Sequence, residues 1–197
     1  MSTAEHAEVT RRDFLFIATG AVGAVGAALT AWPFINQMNP DASVLAMSTV
    51  EIDLAPVAEG QEIIIKWRGN PVIIRNRSAK EIEAAKAVPM SDLKDPLARS
   101  ENAKSDAPAS DDNRTIAGHE AFLVMMGVCT HLGCVPQGDN PLKEFAVVEG
   151  SAKIGGWFCP CHGSNYDTAG RIRKGPAPEN LAVPKYAYLT DTKIRIG

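Results

Sequence analysis

The chain has 197 residues, 45% of them hydrophobic and 22% charged, with a formal charge of −3. That is enough for one modest soluble domain with something added, and the balance lacks the basic excess that binding to nucleic acid needs.

The addition lies at the N-terminus. Arg11-Arg12-Asp13-Phe14-Leu15 leads into an uncharged run over residues 14–35, and paired arginines before an apolar segment are the signature of bacterial twin-arginine export. Residues 1–13 are expected on the cytoplasmic side. As a helix the run would be ~33 Å long, which matches a bilayer core and exceeds the roughly 7–15 apolar residues of a cleaved signal. We therefore expect a retained single-pass anchor over 14–35, with Trp32 at an interface and the head in the periplasm. Gly20, Gly23 and Gly26, with the alanines between them, thin the helix for packing against another membrane helix. The alternative is cleavage after Val44-Leu45-Ala46, which has the small residues for it. Residues 36–48 carry no strong periodicity and read as a flexible neck.

The head, 49–197, is expected to be mainly β. A short strand is predicted at 49–54. Two more, at 62–67 and 72–77, form a hairpin about Arg68-Gly69-Asn70-Pro71. Residues 78–87 turn helical, with Ser78 and Glu81 as a capping box. Residues 89–118 are polar and rich in proline and aspartate, and form a helix-and-loop excursion on the sheet. An apolar strand over 121–128 and a second over 155–158 are expected to lie side by side, each ending in a box of ligand residues. A hairpin, 186–189 and 193–196, closes the head about Thr190-Asp191-Thr192.

The boxes are Cys129-Thr130-His131-Leu132-Gly133-Cys134 and Cys159-Pro160-Cys161-His162-Gly163-Ser164, and they hold all four cysteines and two of the four histidines. Cys-x-His and Cys-x-x-His offer two thiolates and two imidazoles from two loops, the donors that iron and zinc prefer. A structural zinc could use the same donors but leaves two further cysteines unexplained. Two plain disulfides would explain the cysteines and leave the paired histidines without a role.

On Cys129, His131, Cys134, Cys159, Cys161, His162, Ser164 and Tyr166 the sequence resembles the Rieske iron–sulfur proteins. It is most similar to the disulfide-containing kind found in quinol-oxidising cytochrome bc and bf complexes. The resemblance implies a Rieske-type antiparallel β-sandwich with a small inserted cluster-binding subdomain at about 127–178. It implies one 2Fe-2S cluster, with Cys129 and Cys159 on one iron and His131 and His162 on the other, and a Cys134–Cys161 disulfide. The Ser164 hydroxyl would donate to a bridging sulfide and the Tyr166 hydroxyl to the Cys129 sulfur. Two neutral imidazoles in place of two thiolates remove negative charge from the cluster and raise its potential, and hydroxyl donors to sulfur act in the same direction. Gly175-Pro176-Ala177-Pro178 resembles the proline loop that in this family closes over the cluster from a third side.

The implied function is that of the ubiquinol branch, alphaproteobacterial type. His131 and His162 would be catalytic, taking an electron and a proton from ubiquinol at cytochrome b. The head would then carry the electron to a membrane-bound c-type cytochrome, within a dimeric complex. Leu132, Gly133 and Pro176 would dock, while Arg171, Arg173 and Lys174 read as a solvated face. A bf-type subunit, or a carrier serving an oxygenase or periplasmic oxidase, is the alternative. Such carriers commonly lack the second pair of cysteines. Two departures from the family stand out: residues 137–153 look longer than in bacterial members, and Asn165 stands where histidine is expected, which leaves the surface near the cluster open.

Overall fold

The computed structural model describes residues 10–46, 48–138 and 155–197. Most of residues 137–153, the segment expected to be long, lies outside the described residues. The chain divides into two units that meet at Leu45 and Ala46.

In the first unit, α1 (Arg11–Asn36) is long and apolar enough to cross a membrane, and none of its side chains is buried. It begins earlier than the apolar run because Thr10 and Asp13 form a reciprocal capping box that satisfies the first amides and brings both arginines into the first turn. One short helix, α2 (Ala42–Ala46), occupies the stretch read as aperiodic. Its start is set by Asp41, whose carboxylate accepts from the Val44 amide and the Ser43 hydroxyl.

The second unit is mainly β, and among the described residues the named strands all pair antiparallel. Three strands, β1 (Val50–Asp53), β10 (Lys193–Ile196) and β9 (Tyr186–Thr190), form one sheet in that order. The second sheet is β2 (Glu62–Trp67), β3 (Asn70–Asn76) and β4 (Phe122–Met126). The third runs β5 (Gln137–Gly138), β6 (Trp157–Cys159), β7 (Ser164–Tyr166) and β8 (Ile172–Lys174).

The second sheet is the middle layer. Val72, Ile74 and Val124 face a core shared with Ile52, Ile194 and Ile196, while Ile73, Leu123 and Met125 face a core shared with Trp157, Tyr166, Ile172 and Leu181. A strand covered on both faces needs apolar residues at every position, which is why 72–74 and 123–125 read as unbroken apolar runs. The β2–β3 hairpin turns on two residues, Arg68 (φ 48°) and Gly69 (φ 82°), tighter than the four-residue turn predicted. Paired left-handed residues match the strand twist of a two-residue hairpin.

The two strands that deliver the boxes do not lie side by side. Among the described residues β4 pairs with β3 in the middle sheet, and β6 sits between β5 and β7 in the third sheet. The boxes meet because these sheets pack face to face over one core, not because their strands are neighbours.

α3 (Ala79–Ala87) starts at the predicted Ser78–Glu81 capping box. Beyond it the excursion contains two 3-10 turns, Met90–Asp92 and Asp111–Asn113, and is held by buried guanidinium groups as well as by the buried Leu93, Ala98 and Ala109. Arg77 grips the Asp111 carboxylate at 2.6 and 3.0 Å. Arg114 donates to the carbonyls of Ala98, Ala169 and Leu181. Arg171 reaches Asp167 and the carbonyls of Ala85 and Ala109. Arg171 is therefore not part of a solvated face: only 1% of it is exposed, because its charge ties three segments together. Arg173 is half-buried beside Asp167, and Lys174 alone of the three is exposed.

Candidate metal centre

The first ligand loop follows β4, and the second is the tip of the β6–β7 hairpin, where Cys159 pairs with Ser164 and Trp157 with Tyr166. Both loops use the same turn. The Gly133 amide donates to the Cys129 carbonyl at 2.9 Å, and the Gly163 amide to the Cys159 carbonyl at 3.0 Å. In each case a cysteine at the base is followed four residues later by a glycine with positive φ, 81° and 74°. The Cys134–Cys161 disulfide joins the two tips across 27 positions of sequence.

Inside this frame Cys129 and Cys159 are free and buried. Cys159 also lies within 4.8 Å of the sulfurs of Cys134 and Cys161, but those are bonded to each other and have no thiolate to offer a metal. His131 and His162 meet edge to face, their ring centroids 4.6 Å apart. His131 is half-buried, and its Nδ1 is buried with no hydrogen-bond partner among the described residues. Leu132 at the tip is 70% exposed, and Pro176 in the proline loop is exposed too.

The electrostatics separate the two thiols. Burial pushes the Cys129 thiol up, but hydrogen bonds from the Tyr166 hydroxyl, the His131 backbone, Cys159 and the Ser164 hydroxyl outweigh it, and the net shift is downward. Cys159 is pushed up by its own burial and by the neighbouring Cys129. The Tyr166 hydroxyl lies 3.3 Å from Cys129 Sγ and accepts from the Thr130 amide at 3.3 Å. Burial and the sulfur both raise the Tyr166 phenol, so it stays a donor.

These loops fall within residues 99–187, which match the Rieske [2Fe-2S] domain model, and residues 1–41 match the model of the ubiquitinol-cytochrome C reductase Fe-S subunit TAT signal. Over the whole of both chains the sequence is 50% identical to the ubiquinol-cytochrome c reductase iron-sulfur subunits of Bradyrhizobium diazoefficiens and Rhodobacter capsulatus. The chain belongs to the ubiquinol-cytochrome c reductase iron-sulfur subunit family. The subunit of Rickettsia prowazekii is 48% identical over 96% of this chain and 94% of its own.

A Rieske [2Fe-2S] cluster is the cofactor of this family's domain, and the donor set here fits one. A buried imidazole nitrogen without a partner is costly in a folded protein unless something binds it, and it lies in a loop that also carries a buried free thiol. Two thiols and two imidazoles from two cross-linked loops satisfy that need with donors suited to iron.

Several residues near the centre offer no metal donor but hold the loops in place. The Thr130 hydroxyl donates to the Glu179 carbonyl at 2.8 Å and so ties the first ligand loop to the proline loop. Asn180 donates from its side chain to the Asp95 and Leu97 carbonyls, and its amide donates to the Asp95 carboxylate. Trp157 Nε1 donates to Glu62, linking the second loop's strand to the middle sheet. Asn165 is buried and donates to the Gly163 carbonyl at 3.1 Å, so it acts within the second loop and does not shape an outer surface. The spacing of Asp95 and Asn180, 85 positions apart, gives no local signal; only a pairing seen in space identifies them.

Proposed function

We propose that this chain is the redox subunit of a ubiquinol–cytochrome c reductase, taking an electron and a proton from ubiquinol at a site on cytochrome b and delivering the electron to a membrane-bound c-type cytochrome. One observation carries the reading: two buried free cysteines and two histidines are brought together by disulfide-linked loops in a chain half identical, end to end, to ubiquinol-cytochrome c reductase iron-sulfur subunits.

Cys129 and Cys159 would hold one iron of the cluster, and His131 and His162 the other. When bound, the cluster supplies one-electron redox chemistry at a raised potential. The rest belongs to the chain. Tyr166 and Ser164 direct hydroxyl protons towards sulfur and favour the more negative, reduced state. His131 and His162, the latter exposed, would present the ring nitrogens that face away from the metal to the quinol hydroxyl and take its proton. Leu132, Gly133 and Pro176 form the uncharged docking surface around them. The disulfide keeps the two ligand loops at a fixed separation and limits water between them.

Residues 14–35 would anchor the protein in the inner membrane with residues 1–13 in the cytoplasm. Residues 36–48 would be the neck and residues 49–197 the periplasmic head, which swings between its partners in a dimeric complex. The apolar α1 and the match to a twin-arginine signal support that orientation, since such a route exports folded, cofactor-loaded cargo and leaves the disulfide to close in an oxidising compartment.

The test is a redox titration of the full-length protein between pH 6 and 9. The potential should lie well above the range of four-cysteine ferredoxins and fall as pH rises, because electron and proton are taken up together. A low, pH-independent potential would instead assign the chain to the carriers that serve other oxidases.

A further inference from the structure

We propose that Lys94, which lies in the excursion far from either box in sequence, is a positioning residue for the Ser164 hydroxyl and acts through the proline loop. The inference rests on the reading of Ser164 given above and adds a residue that sets its geometry. Pro176 and Pro178 have no amide hydrogen, so Ala177 carries the one backbone donor between them. That donor is aimed inward, at Ser164 Oγ, 3.1 Å away. Ser164 is fully buried, and with its oxygen accepting from Ala177 its own hydrogen is free to point at sulfur.

The Lys94 ammonium fixes the direction of that donor. It donates to the Gly175 carbonyl at 2.9 Å and to the Ala177 carbonyl at 2.8 Å, the two acceptors on either side of the Pro176–Ala177 peptide group. With both flanking carbonyls held by the cation, rotation of the peptide group between them is restricted and its amide stays aimed at Ser164. Two charge-assisted bonds from one group resist rotation of that peptide better than a neutral donor would. Among the described residues no carboxylate pairs with Lys94, so its charge is not divided with a competing partner.

The loop has little freedom to compensate. A Cβ on Gly175 (φ 102°) would lie 2.6 Å from the Ser164 Cα, so the two backbones are already in contact. The next residue of the same segment, Asp95, holds the far end of the loop by accepting from the Asn180 amide. Residues 94 and 95 thus grip the loop at both ends.

The experiment compares Lys94→Met, Lys94→Arg, Ser164→Ala and the double variant Lys94→Met/Ser164→Ala in the full-length protein purified from membranes. The readouts are midpoint potential, visible spectrum and hydrogen exchange at the Ala177 amide. Lys94→Met should lower the potential with an unchanged spectrum and accelerate exchange at Ala177, while Lys94→Arg keeps both near wild type. The double variant should match Ser164→Ala, because Lys94 acts only through that hydroxyl. A Lys94→Met shift that persists undiminished in the Ser164→Ala background would mean a direct charge effect and would overturn the proposal. So would an unchanged potential, or a Lys94→Met protein that holds no cluster. A wild-type protein without a Rieske spectrum would defeat the underlying reading of the site; exchange at Ala177 would then still decide whether Lys94 holds the loop.

Discussion

Tyr166 shows how much one atom contributes at the residue scale. Its hydroxyl is 3.3 Å from Cys129 Sγ, and burial keeps the phenol protonated, so Tyr166→Phe removes the donor to sulfur together with the acceptor of the Thr130 amide. The expected outcome is a lower midpoint potential at full cluster occupancy, read by redox titration against iron content. Asp111 is a residue of the opposite kind, distant from the centre and wholly structural. Its carboxylate neutralises Arg77, and both side chains are buried. Asp111→Ala would leave a guanidinium uncompensated in the interior, at a cost of about 3–5 kcal/mol in unfolding free energy, measurable as a lowered denaturant midpoint.

The two ligand loops are elements in the same sense as helices or strands, because each has a defined backbone turn. What the disulfide adds is their separation. Removing it as Cys134→Ser/Cys161→Ser releases a 27-position closure, which a chain-entropy estimate values at about 3.6 kcal/mol. The expected result is faster loss of the visible spectrum on heating, since loops free to part expose their ligands to water. The β2–β3 turn, at the same end of the middle sheet as the start of the first ligand loop, places Gly69 at φ 82°, a left-handed conformation in which a side chain crowds its own backbone. Gly69→Ala should cost about 1–2 kcal/mol of stability and leave the spectrum and potential of the centre unchanged. A shift in potential there would mean that strain in the turn is passed along β3 and β4 to Cys129.

On the scale of the whole head, three sheets stack about two cores, and polar clamps bind the excursion to the stack. Asp95 belongs to such a clamp. Burial alone would raise its carboxyl, but Arg99 and the amides of Asn180 and Leu97 outweigh burial and hold it below the usual aspartate range. A carboxyl depressed in the folded state stabilises the fold above the unfolded pKa, and that stabilisation is lost as pH falls through the folded value. Acidification below the ordinary aspartate range should therefore loosen the proline loop before the cores open. Protection factors over residues 175–180, referenced to the intrinsic exchange rate at each pH, should fall with acid in the wild type, and much less steeply in Asp95→Asn, which is already without the charge.

The composition of the chain and the spacing of its boxes were sufficient for the two cysteine–histidine loops, the apolar N-terminal segment, the hairpins and the capping box at Ser78, because each depends on residues within a few positions of one another. The predicted pairing of the two box-bearing strands failed for the converse reason. An apolar run shows that both faces of a strand are covered and carries nothing about which neighbour covers them. Burial of Arg171, the inward role of Asn165 and the grip of Lys94 and Asp95 on the proline loop were decided by contacts across many tens of residues. Charged and polar side chains look solvated in a sequence, and only packing reveals when the fold has supplied them with partners in place of water.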